Sequence, residues 1–161
     1  MKLILELKPN PINKNEVVKF LCKHWGSEKI VSKGKITDAS EISRVLVKDI
    51  NNKIVGLATF SVNNNTCELI SIDSEKQRKG IGTKMIKLIE KTVKEKGAKR
   101  IWLITTNDNY EAVIFYVKNG YRLVEIHKDA LDISRKLKPQ IPFIGKYGIP
   151  LQDEWEFEKD L

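Results

Sequence analysis

Only two cysteines occur in the 161 residues, Cys22 and Cys67, and they stand at no metal-ligand spacing. That leaves no disulfide framework and no thiolate metal centre to build on. Two reduced, packed thiols in a cytoplasm and no metal are the expectation. Long apolar runs are also missing: the opening MKLILELKPNP is broken by Glu6 and Lys8 well short of a signal-peptide core or a bilayer span. The chain is therefore expected to be cytoplasmic, with no membrane partner. Repeats, low-complexity tracts and linkers are absent too, so one domain over 1–161 is expected, long enough to bury a single core.

What is present is the balance of a folded globular protein, 41% apolar and 31% charged residues, with a net charge of +8. Most of the positive excess lies between Lys76 and Arg100, where Lys84, Lys87, Lys91 and Lys94 recur at helical spacing. This pattern is the wet face of an amphipathic helix. A nucleic-acid groove would interleave arginines with aromatic rings, whereas Arg78 and Arg100 stand nearly alone. No nucleic-acid partner is expected; the acidic partner this charge favours is a nucleotide-like cofactor.

A first helix is predicted from Asn13 to Trp25, with Asn13 as cap, Glu16 answering it, Gly26 as stop, and Val17, Phe20 and Leu21 inward. A polar stretch follows from Ser27 to Ser40. The β-branched runs Arg44 to Ile50 and Lys53 to Val62, parted by Asn51 and Asn52, predict a hairpin, and Thr66 to Ile72 a third antiparallel strand. From Gly80 to Lys96, Ile81, Met85, Leu88, Ile89 and Val93 follow a helical period, with Gly97 as stop. A strand over Ile101 to Thr105, a helix from about Asn109 to Lys118 and a strand over Tyr121 to His127 come next. Pro139, Pro142, Pro150, Gly145 and Gly148 mark Arg135 to Pro150 as an ordered loop. Last, Trp155 and Phe157 alternate with Glu154, Glu156 and Glu158 as a half-buried strand.

The segment Gln77-Arg78-Lys79-Gly80-Ile81-Gly82-Thr83 lies between a strand and the strongest helix. Free amides of a helix's first turn, approached through glycines that offer no Cβ, form a cradle for a diphosphate. The order of residues is not that of a Walker loop, and Met85 occupies the place of the third Rossmann glycine. A plain turn before a helix is the bland alternative.

Gln77-x-x-Gly80-x-Gly82 resembles the Gln/Arg-x-x-Gly-x-Gly/Ala signature of the GNAT acyltransferases. Asn109-x-x-Ala112-x-x-Phe115-Tyr116-x-Lys118-x-Gly120-Tyr121 resembles the later motif of the same family. The likeness covers about Val45 to Ile126, so the core motifs span 45–126, and the loop and final strand over 135–159 lie outside it. It implies a mixed α/β, GNAT-like fold: a central, mainly antiparallel sheet with a splayed pair formed by its fourth and fifth strands, and helices on both faces. It also implies an N-acetyltransferase that moves an acetyl group from acetyl-CoA to a primary amine of a small molecule or protein. A non-catalytic CoA-binding module is the alternative.

The resemblance assigns roles by position. Ile70, Ser71 and Ile72 would lend main-chain groups to the pantetheine arm and thioester carbonyl, beside the diphosphate cradle of Gln77, Arg78, Lys79, Gly80, Ile81, Gly82 and Thr83. Tyr116 would protonate the leaving thiolate or else pack the core, and Asn109 would cap its helix, contact the cofactor, or both. Glu68 is the candidate general base, with a solvent-facing strand residue as the other reading. His24 and Trp25, at the end of the first helix, and Glu28 are candidates for the acceptor side; His24 could equally be an ordinary polar cap. The acceptor's identity and a possible homodimer stay open.

Overall fold

The computed structural model describes residues 1–75 and 79–161. The chain divides into two compact units: Met1–Ile30, Asp38–Ile101 and Leu161 form the first, Val31–Thr37 and Trp102–Asp160 the second. The fold is mixed α/β, with four α-helices among the described residues and mostly antiparallel β-structure.

In the first unit, β1 (Lys2–Glu6), β4 (Ser43–Lys48), β5 (Ile54–Asn63) and β6 (Thr66–Ser74) lie side by side in that order, all antiparallel. The β4-β5-β6 meander is as predicted. β1 is an addition: the apolar opening pairs with β4, which the sequence alone did not suggest. Both faces of this sheet are covered. Leu46 and Leu57 are partners across β4 and β5 and join Val17, Phe20 and Leu21 of α1 (Lys14–Trp25) in one core cluster. The next pair, Val47 and Gly56, points to the opposite face, against Ile81 and Met85 of α2 (Ile81–Glu95). Alternation along the strand thus distributes one apolar run between two helices. On α2 itself Lys84, Lys87, Lys91 and Lys94 are exposed, as the charge pattern predicts.

Three expectations need correction here. Asn13 makes no side-chain cap; its amide donates to Glu6 Oε1 at 2.6 Å, and its carbonyl oxygen accepts from Lys48 at 3.0 Å. Glu16 does not close a capping box either, since its carboxylate accepts the Ile54 N–H at 3.0 Å. Tertiary donors outcompete the local ones. Cys22 is exposed rather than packed, because it falls on the polar side of α1. The polar stretch at 27–40 is in fact a ribbon, β2 (Lys29–Ser32) and β3 (Lys35–Asp38), turned by Lys33 and Gly34 at φ 50° and 70°. Two successive left-handed residues make the tight hairpin turn.

In the second unit β9 (Glu154–Asp160) lies between β7 (Arg100–Thr106) and β8 (Arg122–His127). The helix α3 (Tyr110–Lys118) follows β7, and α4 (Ala130–Leu137) occupies residues read partly as loop. The loop expected from Arg135 therefore begins after Leu137, and Arg135 works from the helix by donating to the carbonyls of Pro142 and Leu151. The β9 alternation is also corrected: Glu154 and Glu156 are 1% and 6% exposed, while Trp155 is half-buried. The glutamates have partners of their own, described below.

Candidate functional site

The strongest motif opens α2. Gly80 adopts φ 72°, ψ 10°, a conformation that suits glycine, and no side chain caps the first turn after it. Lys84 N–H closes that turn onto Gly80 O at 3.0 Å, so the amides of Ile81, Gly82 and Thr83 have no partner within the helix. A Cβ at Gly80 would meet nothing within 4 Å among the described residues. A 15-residue helix adds its positive end to them. Lys79 is exposed at the entrance. Ile81 is 3% exposed with its side chain turned to Gly56, so only its amide faces the approach. Gln77 and Arg78 lie outside the described residues.

The strand leading there carries an irregularity. Phe60 pairs with Leu69 but Thr59 with Ser71, which leaves Ile70 as an extra residue in β6. Such a bulge twists the strand locally and releases its main chain from regular pairing. Ile70 packs against the α1 core cluster, and Ser71, 3% exposed, shares a 2.7 Å hydrogen bond with Thr59 Oγ1. Ile72 follows on the paired strand, and Glu68, half-buried, stands two residues before the bulge. Burial, with the Glu68 charge beside it, pushes the Cys67 thiol up to about 12. A thiol so placed is no nucleophile at neutral pH.

The end of α1 is tied to the end of β6. Trp25 Nε1 donates to Asp73 Oδ2 at 2.5 Å, and Lys23 Nζ reaches both Glu75 oxygens at 2.9 and 2.7 Å. His24 stacks on Phe20 and lies 3.6 Å from Glu75 Oε1. The Lys23 hydrogen bond holds the Glu75 carboxyl below its usual range. Asp73 and Glu75 were not singled out from the sequence, because their partners lie some fifty residues away and no local pattern marks them. Glu28 stands apart from this group, its carboxylate 4.0 Å from Cys22 Sγ.

Asn109 and Tyr116 belong to the second unit. Asn109 Oδ1 accepts the Ala112 N–H at 3.4 Å as the cap of α3, and also Lys146 Nζ at 3.2 Å. Capping is thus observed, and Lys146 is a neighbour the sequence did not reveal. Tyr116 is 7% exposed, packed among Phe115, Tyr121 and Phe157. On the other face of β9, Glu154 and Glu156 meet His127 and Lys33.

The chain belongs to the acetyltransferase (GNAT) family, whose model matches residues 17–121. Two Bacillus subtilis (strain 168) proteins are similar along nearly their whole length. The uncharacterized protein YxbD is 40% identical over 150 residues, 93% of this chain and 94% of that one. The uncharacterized protein YdhI is 34% identical over 157 residues, 98% of each. Among solved structures, a GNAT family acetyltransferase from Elizabethkingia anophelis with acetyl-CoA bound has a TM-score of 0.68 at 20% identity, covering 99% of this chain and 97% of that one. The last likeness is one of fold. The matched segment contains both motifs, the glycines before α2 and the Asn109 to Tyr121 run.

Proposed function

We propose that the protein is an acetyl-CoA-dependent N-acetyltransferase that passes the acetyl group directly to a primary amine in a ternary complex. The observation that carries this reading is the uncapped, glycine-opened start of α2, with three amides unpartnered within the helix at its positive end. A diphosphate fits such donors, and an E. anophelis protein of the same fold holds acetyl-CoA. Lys79, with Arg78 beside it in sequence, would add positive charge, and Gln77 and Asn109 polar contacts.

Direct transfer needs no enzyme nucleophile, which agrees with a Cys67 thiol held protonated by burial. It needs alignment, stabilisation of the carbonyl oxygen, and a proton for the departing sulfur. The bulge at Ile70, with Ser71 and Ile72 after it, is the segment assigned to the pantetheine arm and carbonyl. Tyr116 is assigned to the thiolate. The module that binds CoA without turnover predicts binding alone.

Calorimetry with acetyl-CoA and CoA tests the cradle, and release of free thiol in the presence of amines tests transfer. Tyr116→Phe should leave acetyl-CoA binding intact and slow turnover by about 100-fold, the usual scale of a lost proton donor. An unchanged rate removes the acid role. Absence of binding at millimolar acetyl-CoA removes the whole reading.

A further inference from the structure

The sheet of the second unit ends on β8, which among the described residues is paired along one side, with β9. An edge strand presents a row of main-chain donors and acceptors, and chains that stay single blunt it with Lys, Pro or a covering segment. β8 carries neither Lys nor Pro. Five of its six residues are exposed, among them Leu123 at 45%, Val124 at 42% and Ile126 at 53%. Helix α3 adds to this surface: Tyr110, Ile114 and Val117, all exposed, recur at the i, i+4, i+7 spacing of a single helical stripe.

Residues opposite one another in an antiparallel pair share a face of the sheet. Leu123 opposes Phe157 and Ile126 opposes Trp155, so both aliphatics lie on the face that carries α3, whose Tyr116 and Tyr110 rings lie 6.1 and 6.3 Å from those of Phe157 and Trp155. Arg122 opposes Glu158 and Glu125 opposes Glu156, which puts Arg122 and Glu125 together on the other face. Three residues apart, they would fall on opposite faces of a regular strand; the register shift between Leu123 and Glu125 brings them to one. The strand is thereby self-complementary. A two-fold axis perpendicular to the sheet, level with the Leu123–Val124 peptide, sets Arg122 of each copy opposite Glu125 of the other and Leu123 opposite Val124. A register centred on Glu125 would oppose like charges instead.

Net charge favours the same partner. The chain carries +8, yet Val31–Thr37 and Trp102–Asp160 hold ten Lys and Arg against ten Asp and Glu, so the second unit is formally neutral and the whole excess lies in the first. Two copies that meet through the second unit therefore bring no net repulsion to the contact. We propose that β8 is the seam of a homodimer, in which it pairs antiparallel with β8 of a second copy in the register that joins Arg122 to Glu125. Main-chain hydrogen bonds extend the sheet from one copy into the other. The exposed aliphatics of β8 and the apolar stripe of α3 flank the seam and supply buried area, and the two Arg122–Glu125 pairs fix the register. Such a contact uses the same patch on both copies and occupies both edges, so assembly stops at two.

Sedimentation velocity and light scattering on the full chain, from micromolar to hundreds of micromolar, should show a species of twice the 18.5 kDa chain mass. Arg122→Glu and Glu125→Arg each place like charges opposite one another at both pairs, and each should raise the dissociation constant of the dimer by about 10-fold or more. The double variant restores unlike pairs and should recover most of that loss. Ile126→Lys, a charge on the apolar side of the edge, should give a monomer. Hydrogen exchange on the wild type is a reading independent of any variant's folding: the β8 amides that point away from β9 should exchange more slowly as concentration rises. A wild-type chain that stays monomeric at hundreds of micromolar overturns the proposal. So does a dimer that neither charge reversal weakens, a double variant no tighter than the single ones, or a dimer whose β8 amides exchange at the monomer's rate.

Discussion

Gly56→Ala probes the link between the sheet and the proposed cofactor loop with a single methyl group. A Cβ there would stand 2.8 Å from Ile81 Cγ2, 3.3 Å from Val47 Cβ and 3.4 Å from Met85 Cε. Ordinary carbon contacts lie near 3.5–4.0 Å, so Ile81 must retreat by about 1 Å. None of the three neighbours has space: all are buried, and Val47 and Ile81 are stiff at χ1. Overpacking of this kind costs about 1–3 kcal/mol. For 161 residues, at about 2.1 cal/mol/K each, the melting temperature should fall by about 3–9 °C. Because Ile81 is the first residue of α2, its retreat also shifts the amides that open the helix. Acetyl-CoA affinity should therefore drop by about 10-fold, since binding groups misplaced by an ångström lose much of their effect. Thermal melts and calorimetry on Gly56→Ala, Ile81→Ala and the double variant give the answer. The double variant, with room for the new methyl, should be less destabilised than the two single effects combined and should regain affinity. A melting temperature equal to wild type, or strict additivity, would refute the argument.

Three further outcomes concern buried charge. Arg44 is fully buried and bonds Glu6 at 2.6 Å as well as the carbonyls of Ser40 and Asn10, so Arg44→Met should cost about 3–5 kcal/mol by stranding Glu6. Burial alone would raise the Glu6 carboxyl, but hydrogen bonds from Asn10, Arg44 and Asn13 hold it below the usual range. Its contribution is thus present above the ordinary carboxylate pKa and lost as pH falls through the lowered folded value; urea melts should show this acid loss in wild type and not in Glu6→Gln. Glu154 has the opposite sign. Burial raises it, so its ionised form weakens the fold once pH exceeds the ordinary carboxylate range, and fully above the raised value. Glu154→Gln should be more stable at neutral pH by about 1 kcal/mol, with the gap closing in acid. A less stable variant at neutral pH would contradict this account.

The α2 and α3 helices, the β4-β5-β6 meander and the glycine-led start of α2 were all legible in the sequence, because each is written locally. The apolar residues of α2 repeat with the helix, Asn51 and Asn52 punctuate a hairpin, and Gly80 precedes the long helix that makes its amides useful. Fold class followed from two such motifs in order. What distance along the chain conceals was decided by tertiary structure. Asn13 has the makings of a cap, yet Glu6 and Lys48 offer its side chain better partners. Arg44 reads as the start of a strand, which it is, but it is also a buried cation satisfied by groups from Glu6 to Ser40. Glu154 and Glu156 read as the wet face of a last strand, but Lys33 and His127, more than a hundred and some thirty residues away, turn that face into a polar cluster. A single sequence shows the periods and turns that each residue shares with its neighbours. Only the folded chain shows which distant donor lies within 3 Å of a buried carboxylate, and that proximity determines what the carboxylate can do.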